Sequence, residues 1–253
     1  MTAKISRVSK YFADKPNFEF VCPTCEKGLL APDKSSFVVT EPTYSKSAKK
    51  DEEWDPDWIT LRFNLTCECN RKSCGEISHV SGSGQLDQRY DGLDQSEWYN
   101  SFCIRSFFPA PNLIQIPKGA PKNVVSLLKK SFALYWVDVA AAANALRASL
   151  EALLDELQVP ETQKNAKGET IRLNLHRRIE IWSKQQNEYA ELCFALKEVG
   201  NLGSHGESVS DKHFFGALEI YCHVLFQLFD NDAGKMKALA IKITSEIKKK
   251  KSK

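Results

Sequence analysis

The sequence predicts an α+β chain, with a small N-terminal β domain stapled by a metal ion and an all-α up-down helical bundle after it. Three observations predict it. Two cysteine pairs, Cys22-x2-Cys25 and Cys69-x4-Cys74, bracket a strand-rich stretch. Ile59, Leu61, Phe63 and Leu65 alternate with Thr60, Arg62 and Asn64, the period of two of a half-buried strand. Beyond Pro121 the apolar residues recur at helical spacing as far as Phe229. The boundaries that follow are residues 18–106 for the β domain, 107–121 for a proline-rich linker, 122–248 for the bundle and 249–253 for a basic tail.

At 253 residues and 42% hydrophobic content, the chain can build one large domain or two modest ones around a real core. No apolar run approaches the ~20 residues that span a bilayer. Met1 to Lys15 holds no apolar segment of a secretory signal. The expectation is a cytoplasmic protein without membrane contact, in which cysteines serve as metal ligands or buried thiols rather than disulfides. A net charge of +3 does not by itself argue for nucleic acid, although Lys248 to Lys251 is locally basic.

Taken in order, Met1 to Asn17 is polar and reads as partly ordered at best. Short apolar runs at Phe18–Val21 and Ser36–Thr40 read as strands, and the charged stretch Tyr44 to Asp57 reads as a loop inserted between strands. The strand from Ile59 runs into the second cysteine pair. A further short strand at Ile77–Val80 is expected to end at Ser81-Gly82-Ser83-Gly84. Residues 85–121 carry Pro109, Pro111, Pro117 and Pro121 and read as a connection with one or two extra strands, such as Ser101–Ser106. From Pro121 to Pro160 one long helical pattern appears, with a kink or break near Trp136 to Ala140. After a polar loop come helices at Leu173–Ser183, from Asn187, at Lys212–Phe229 with Ser210 or Asp211 as cap, and at Ala233 to about Lys248. The Lys212–Phe229 helix is apolar nearly all round and belongs at the centre of a bundle or in an oligomer interface.

The cysteine pairs point to zinc. Each pair sits in a turn that aims two thiolates at one point, and four thiolates satisfy tetrahedral zinc with a closed shell. The predicted ligands are Cys22, Cys25, Cys69 and Cys74, with Cys67 as a substitute for Cys69 and His79 as a more distant one. With no open coordination position the metal is read as structural, and the β domain as zinc-ribbon-like. Cys193 and Cys222 fall on helical apolar faces and read as core thiols.

In the helical half, Arg147 and Glu151 stand one turn apart, the spacing of a surface ion pair. Gly200-Asn201 after a helical pattern reads as a C-cap, which places His205 in the following loop. The combination of Arg147-x3-Glu151 with the later Gly200-Asn201-x3-His205, the Phe108-Pro109 to Pro121 entry and the N-terminal ribbon resembles the bacterial domain-of-unknown-function family numbered 4145. That family is related to the HEPN helical bundles of phage defence, toxin–antitoxin pairs and RNA processing. The resemblance implies a HEPN-like bundle. Where members carry an Arg-x4-6-His motif, it also implies a dimeric, metal-independent endoribonuclease. Carried over, His205 is the acid or base and Asn201 the orienting residue, Glu151 fixes the ring and Arg147 binds phosphate. Relatives tend to carry arginine where this chain has Lys197, and no arginine lies in the dozen residues before His205. Lysine keeps the charge but lacks the fork that grips phosphate with two bonds.

Two functions follow. The favoured one is a zinc-stabilised, HEPN-like binding or regulatory component of a bacterial anti-phage defence, restriction or toxin–antitoxin system, dimeric through its helices and docked on a protein partner. The other is an endoribonuclease toxin acting on RNA through His205 and Asn201, with Arg147, Glu151 and Lys197 around them. DNA binding through Arg62, Arg71, Lys72 and Arg89 ranks below both.

Overall fold

The computed structural model describes residues 8–90, 96–184, 187–204 and 208–230. The first half forms a six-stranded antiparallel sheet. Its strands are β1 (Tyr11–Ala13), β2 (Phe20–Val21), β3 (Leu29–Thr40), β4 (Thr60–Cys69), β5 (Ile77–Tyr90) and β6 (Ser96–Phe108). Their spatial order is β1-β6-β5-β4-β3-β2. The expected small zinc-ribbon-like domain is therefore corrected: the β part is a large curled sheet, a half-barrel. The curl is visible in ring contacts. Phe12 on β1 meets Phe37 on β3 at 5.9 Å between centroids, although β6, β5 and β4 lie between them in the sheet. A flat sheet would hold those strands roughly 19 Å apart at its usual spacing.

The concave side is filled by Phe12, Phe37, Phe63 and Phe102, packed edge-on or stacked on one another. This packing explains the glycines that looked like a strand end. A Cβ on Gly82 would lie 2.6 Å from the Phe63 ring, and one on Gly84 would lie 2.5 Å from the Phe102 ring. The two glycines seat the rings against the sheet, so β5 runs straight through Ser81-Gly82-Ser83-Gly84. Within the polar N-terminal stretch, Tyr11–Ala13 pairs with Ser101–Cys103 as an edge strand. Between β3 and β4, the charged insertion folds as helix α1 (Thr43–Ala48) and a 3-10 turn at Pro56–Trp58.

The single long helix resolves into two. Helix α2 (Lys122–Tyr135) and helix α3 (Val139–Glu156) are separated by Trp136–Asp138, where Asp138 caps α3 by accepting from the N–H groups of Ala140 and Ala141. They fold back antiparallel rather than kink. Ser131 Oγ donates to the Ala142 carbonyl at 2.7 Å, and Ser149 Oγ donates to the Val124 carbonyl at 2.9 Å. The polar loop after α3 is a small hairpin of β7 (Thr162–Lys164) and β8 (Thr170–Arg172). Helix α4 (Leu175–Ser183) follows, capped by Asn174, with Leu175, Ile179 and Trp182 buried as the periodicity requires. Helix α5 (Asn187–Ser204) and helix α6 (Asp211–Phe229, capped by Ser210) complete the described bundle. The proposed last helix from Ala233 and the basic tail lie outside the described residues.

Gly200 does not end a helix. It lies inside α5 with no left-handed backbone, and a Cβ there would stand 2.5 Å from the Cβ of Arg147. Gly203, one turn on, packs against the backbone of Ala140. The two glycines let α5 press directly on α3. Sheet and bundle share one core. Trp136 is fully buried and meets Phe20 of β2 at 5.4 Å and Phe107 of β6 at 5.1 Å between ring centroids. The segment after β6 joins the same core through Leu113, Ile114 and Ile116.

Candidate metal centre and the polar site of the helices

The two cysteine pairs are brought together by the β3–β4 pairing. Leu30 pairs with Cys69, Leu29 Nα donates to Asn70 Oδ1 at 3.0 Å, and Asn70 Nα donates to the Leu29 carbonyl at 2.9 Å. The first knuckle closes when Cys22 Nα donates to the Gly28 carbonyl at 2.9 Å. The second closes when Cys74 Nα donates to the Arg71 carbonyl at 2.8 Å, with Gly75 taking a φ of 61° that suits glycine. Gly28 serves a different purpose: a Cβ there would lie 2.5 Å from Cys69 Sγ.

The Sγ atoms of Cys22, Cys25, Cys69 and Cys74 all lie within 4.8 Å of one another. The pairs Cys22–Cys74 and Cys25–Cys69 each stand at 3.8 Å. A tetrahedral ion with metal–sulfur bonds of ~2.3 Å has sulfur–sulfur edges of about 3.8 Å, so the tetrad fits such an ion. It is far wider than a disulfide. Cys67 is buried on the same inward face of β4 but stands outside the cluster, as does the exposed His79. The environment favours thiolate chemistry at one corner. The N–H groups of Lys27 and Gly28 pull the Cys25 thiol down to about 6, while burial pushes the Cys22 and Cys67 thiols up to about 12.

The helical residues form two separate pairs. Arg147 Nη2 stands 3.3 Å from Glu151 Oε1 on α3. On α5, Lys197 Nζ stands 2.6 Å from Glu198 Oε1, and Asn201 Nδ2 donates to Glu198 Oε2 at 3.5 Å. The Gly200 contact lays the Arg147 turn against this end of α5. His205 lies outside the described residues. Sequence reasoning overlooked His176, whose Nδ1 is 3.4 Å from Lys197 Nζ and whose ring packs on Phe194. It also overlooked a cavity of about 300 Å³ that Arg147 and Glu151 line together with Glu161, Arg172, Asn174 and Arg178. These residues come from the hairpin and from α4, and only the arginine-rich composition on both sides of Asn174 hinted at them.

Comparison with protein families divides the chain at the same place. Residues 129–251 match the model of a domain of unknown function, DUF4145. Residues 10–110 match that of a second domain of unknown function, DUF8608, and this match spans the six-stranded sheet with all four clustered cysteines. The DUF4145 match includes Arg147, Glu151, Lys197, Asn201 and His205. No curated protein and no solved structure matches the chain. Among the described residues, no helix is long and apolar enough to cross a membrane.

Proposed function

We propose that the chain is a binding or regulatory component stapled by one structural zinc ion on Cys22, Cys25, Cys69 and Cys74. The closed cysteine tetrad carries this reading. Four sulfur ligands fill the shell of zinc, so the ion ties the β2–β3 and β4–β5 turns together and leaves no position for a reacting water. The helical half supports the same reading. Lys197, which stands where relatives tend to carry arginine, is already engaged by Glu198. The resemblance to the 4145 family extends the proposal to a HEPN-like half that pairs with a second copy and serves a bacterial defence, restriction or toxin–antitoxin system.

Metal analysis and an RNA assay on the same purified protein test it. The expected result is one zinc per chain, lost in Cys22→Ser and kept in Cys67→Ser, with no RNA cleavage in the absence of added metal. Absence of zinc, or its loss in Cys67→Ser alone, overturns the metal assignment. RNA cleavage that disappears in His205→Ala overturns the binding reading in favour of the endoribonuclease.

A further inference from the structure

The cavity between α3, the β7–β8 hairpin and the start of α4 gathers three guanidinium groups from three elements: Arg147, Arg172 and Arg178. Two of them are held in place by carboxylates. Arg178 is only 6% exposed; its Nη2 donates to Asp155 Oδ1 at 2.6 Å and to the Val159 carbonyl at 3.0 Å, and its buried Nε has no partner among the described residues. Arg147 likewise keeps Glu151 on Nη2, while its buried Nε has no partner among the described residues. Unmade hydrogen bonds of this kind are uncommon in folded proteins and cost free energy unless something compensates them. Arg172 is exposed on β8, and its side chain makes no hydrogen bond or ion pair among the described residues. The same holds for Glu161, just before β7.

The first turn of α4 contributes partial positive charge beside the arginines. Asn174 caps it by accepting from Arg177 Nα at 2.9 Å, and the N-terminal amides of a helix carry partial positive charge. Guanidinium forks match the oxygens of phosphate and carboxylate. Donors arriving from three elements suit a tetrahedral dianion better than a planar carboxylate, which two forks already fill. The unpaired Glu161 selects further, since a carboxylate beside an anion is tolerated only where the ligand also offers hydrogen-bond donors. The volume of about 300 Å³ is at the small end of ligand pockets, and Leu173 and Leu175 complete its lining.

We infer that this cavity binds a small phosphomonoester bearing hydroxyl groups, of the sugar-phosphate class. Arg147, Arg172 and Arg178 surround the phosphate, and Glu161 accepts from a hydroxyl. The inference does not depend on the metal centre, and zinc content is measured in the same samples to keep the two apart.

Titration calorimetry of the full chain with inorganic phosphate, ribose 5-phosphate and ribose provides the test. Ribose 5-phosphate is expected to bind, inorganic phosphate to bind more weakly, and ribose not at all. Arg172→Ala, on an exposed strand, is expected to weaken both phosphate-bearing probes by about tenfold or more while the ligand-free melting temperature stays unchanged. Glu161→Gln is expected to weaken ribose 5-phosphate and leave inorganic phosphate alone. No heat with either phosphate-bearing probe, affinity indifferent to Arg172→Ala, or ribose binding as tightly as its phosphate would each overturn the inference. Inorganic phosphate binding as tightly as ribose 5-phosphate would overturn the hydroxyl assignment.

Discussion

Replacing Gly200 by alanine sets local helix preference against tertiary packing, and the structure predicts which prevails. Alanine in place of a glycine in the middle of a helix returns about 1 kcal/mol. In α5, however, the new Cβ would stand 2.5 Å from Arg147 Cβ and 2.9 Å from Arg147 Cδ. Carbon atoms pack at ~3.5 Å or more, so α3 and α5 would have to part by roughly 1 Å. Overpacking of this kind costs roughly 1–3 kcal/mol, which leaves a net destabilisation of about 0–2 kcal/mol. Gly216 in α6 is the matched control, since a Cβ there meets nothing within 4 Å among the described residues. Gly216→Ala is therefore expected to stabilise by up to about 1 kcal/mol. The two alanine variants should differ by the overpacking cost, read as ~2–4 °C of melting temperature per kcal/mol in a chain of this size. Thermal and urea unfolding followed by circular dichroism measure the difference. Gly200→Asn separates the alternatives further: asparagine is tolerated at a left-handed helix end but is worse than alanine in a packed seam. Gly200→Ala as stabilising as Gly216→Ala, or Gly200→Asn better tolerated than Gly200→Ala, would refute the close approach of α5 to α3.

The remaining predictions concern the shared core. Trp136→Ala should cost about 3–5 kcal/mol in chemical denaturation, because the indole joins Phe20 and Phe107 of the sheet to the bundle. Trp136→Phe should cost clearly less, since the indole N–H has no hydrogen-bond partner among the described residues. Ser149→Ala should cost about 1–3 kcal/mol by the same measurement. It breaks a buried relay in which Ser149 Oγ lies 3.0 Å from the Tyr221 hydroxyl and donates to the Val124 carbonyl, tying α6, α3 and α2. Alkaline pH should also weaken the fold. Burial raises the hydroxyls of Tyr135 and Tyr221 above the ordinary tyrosine value, with Asp211 adding to the effect at Tyr135. The unfolded chain releases these protons near pH ~10 while the folded chain retains them. Their stabilising contribution is therefore complete below that pH and declines as pH rises through it. Denaturation midpoints measured across that range should fall with pH, and Tyr221→Phe should make the fall shallower.

How much of this was legible in the sequence depends on the range of the interactions. The α2–α3 break could be read because one unbroken helix from Pro121 to Pro160 would be too long, α4 because of its apolar spacing, and α6 because Ser210 sits at the end of an apolar periodicity. The cysteine tetrad could be read because two short spacings each build a knuckle. The extent of the sheet could not. In β5 the glycines that usually mark a turn instead leave room for Phe63 and Phe102, which approach from the concave face formed by the curl. Gly200 misled for the same reason, since its partner Arg147 lies on another helix. Arg172, Arg178 and Glu161 carry no local pattern, and only the folding of the hairpin and α4 against α3 brings them to one cavity.

The sequence by itself determined the α+β class, the helical half and the two cysteine pairs, with Cys67 left open as a substitute for Cys69. Each of these follows from residues within a few positions of one another along the chain. Only the tertiary structure decided that the β half is a curled six-stranded sheet and that the helices and the sheet close over Trp136 as one core. It also decided that three arginines meet in one cavity. These features are set by close packing between segments remote in sequence, where the shape of a partner surface decides whether a glycine ends a strand or seats a ring.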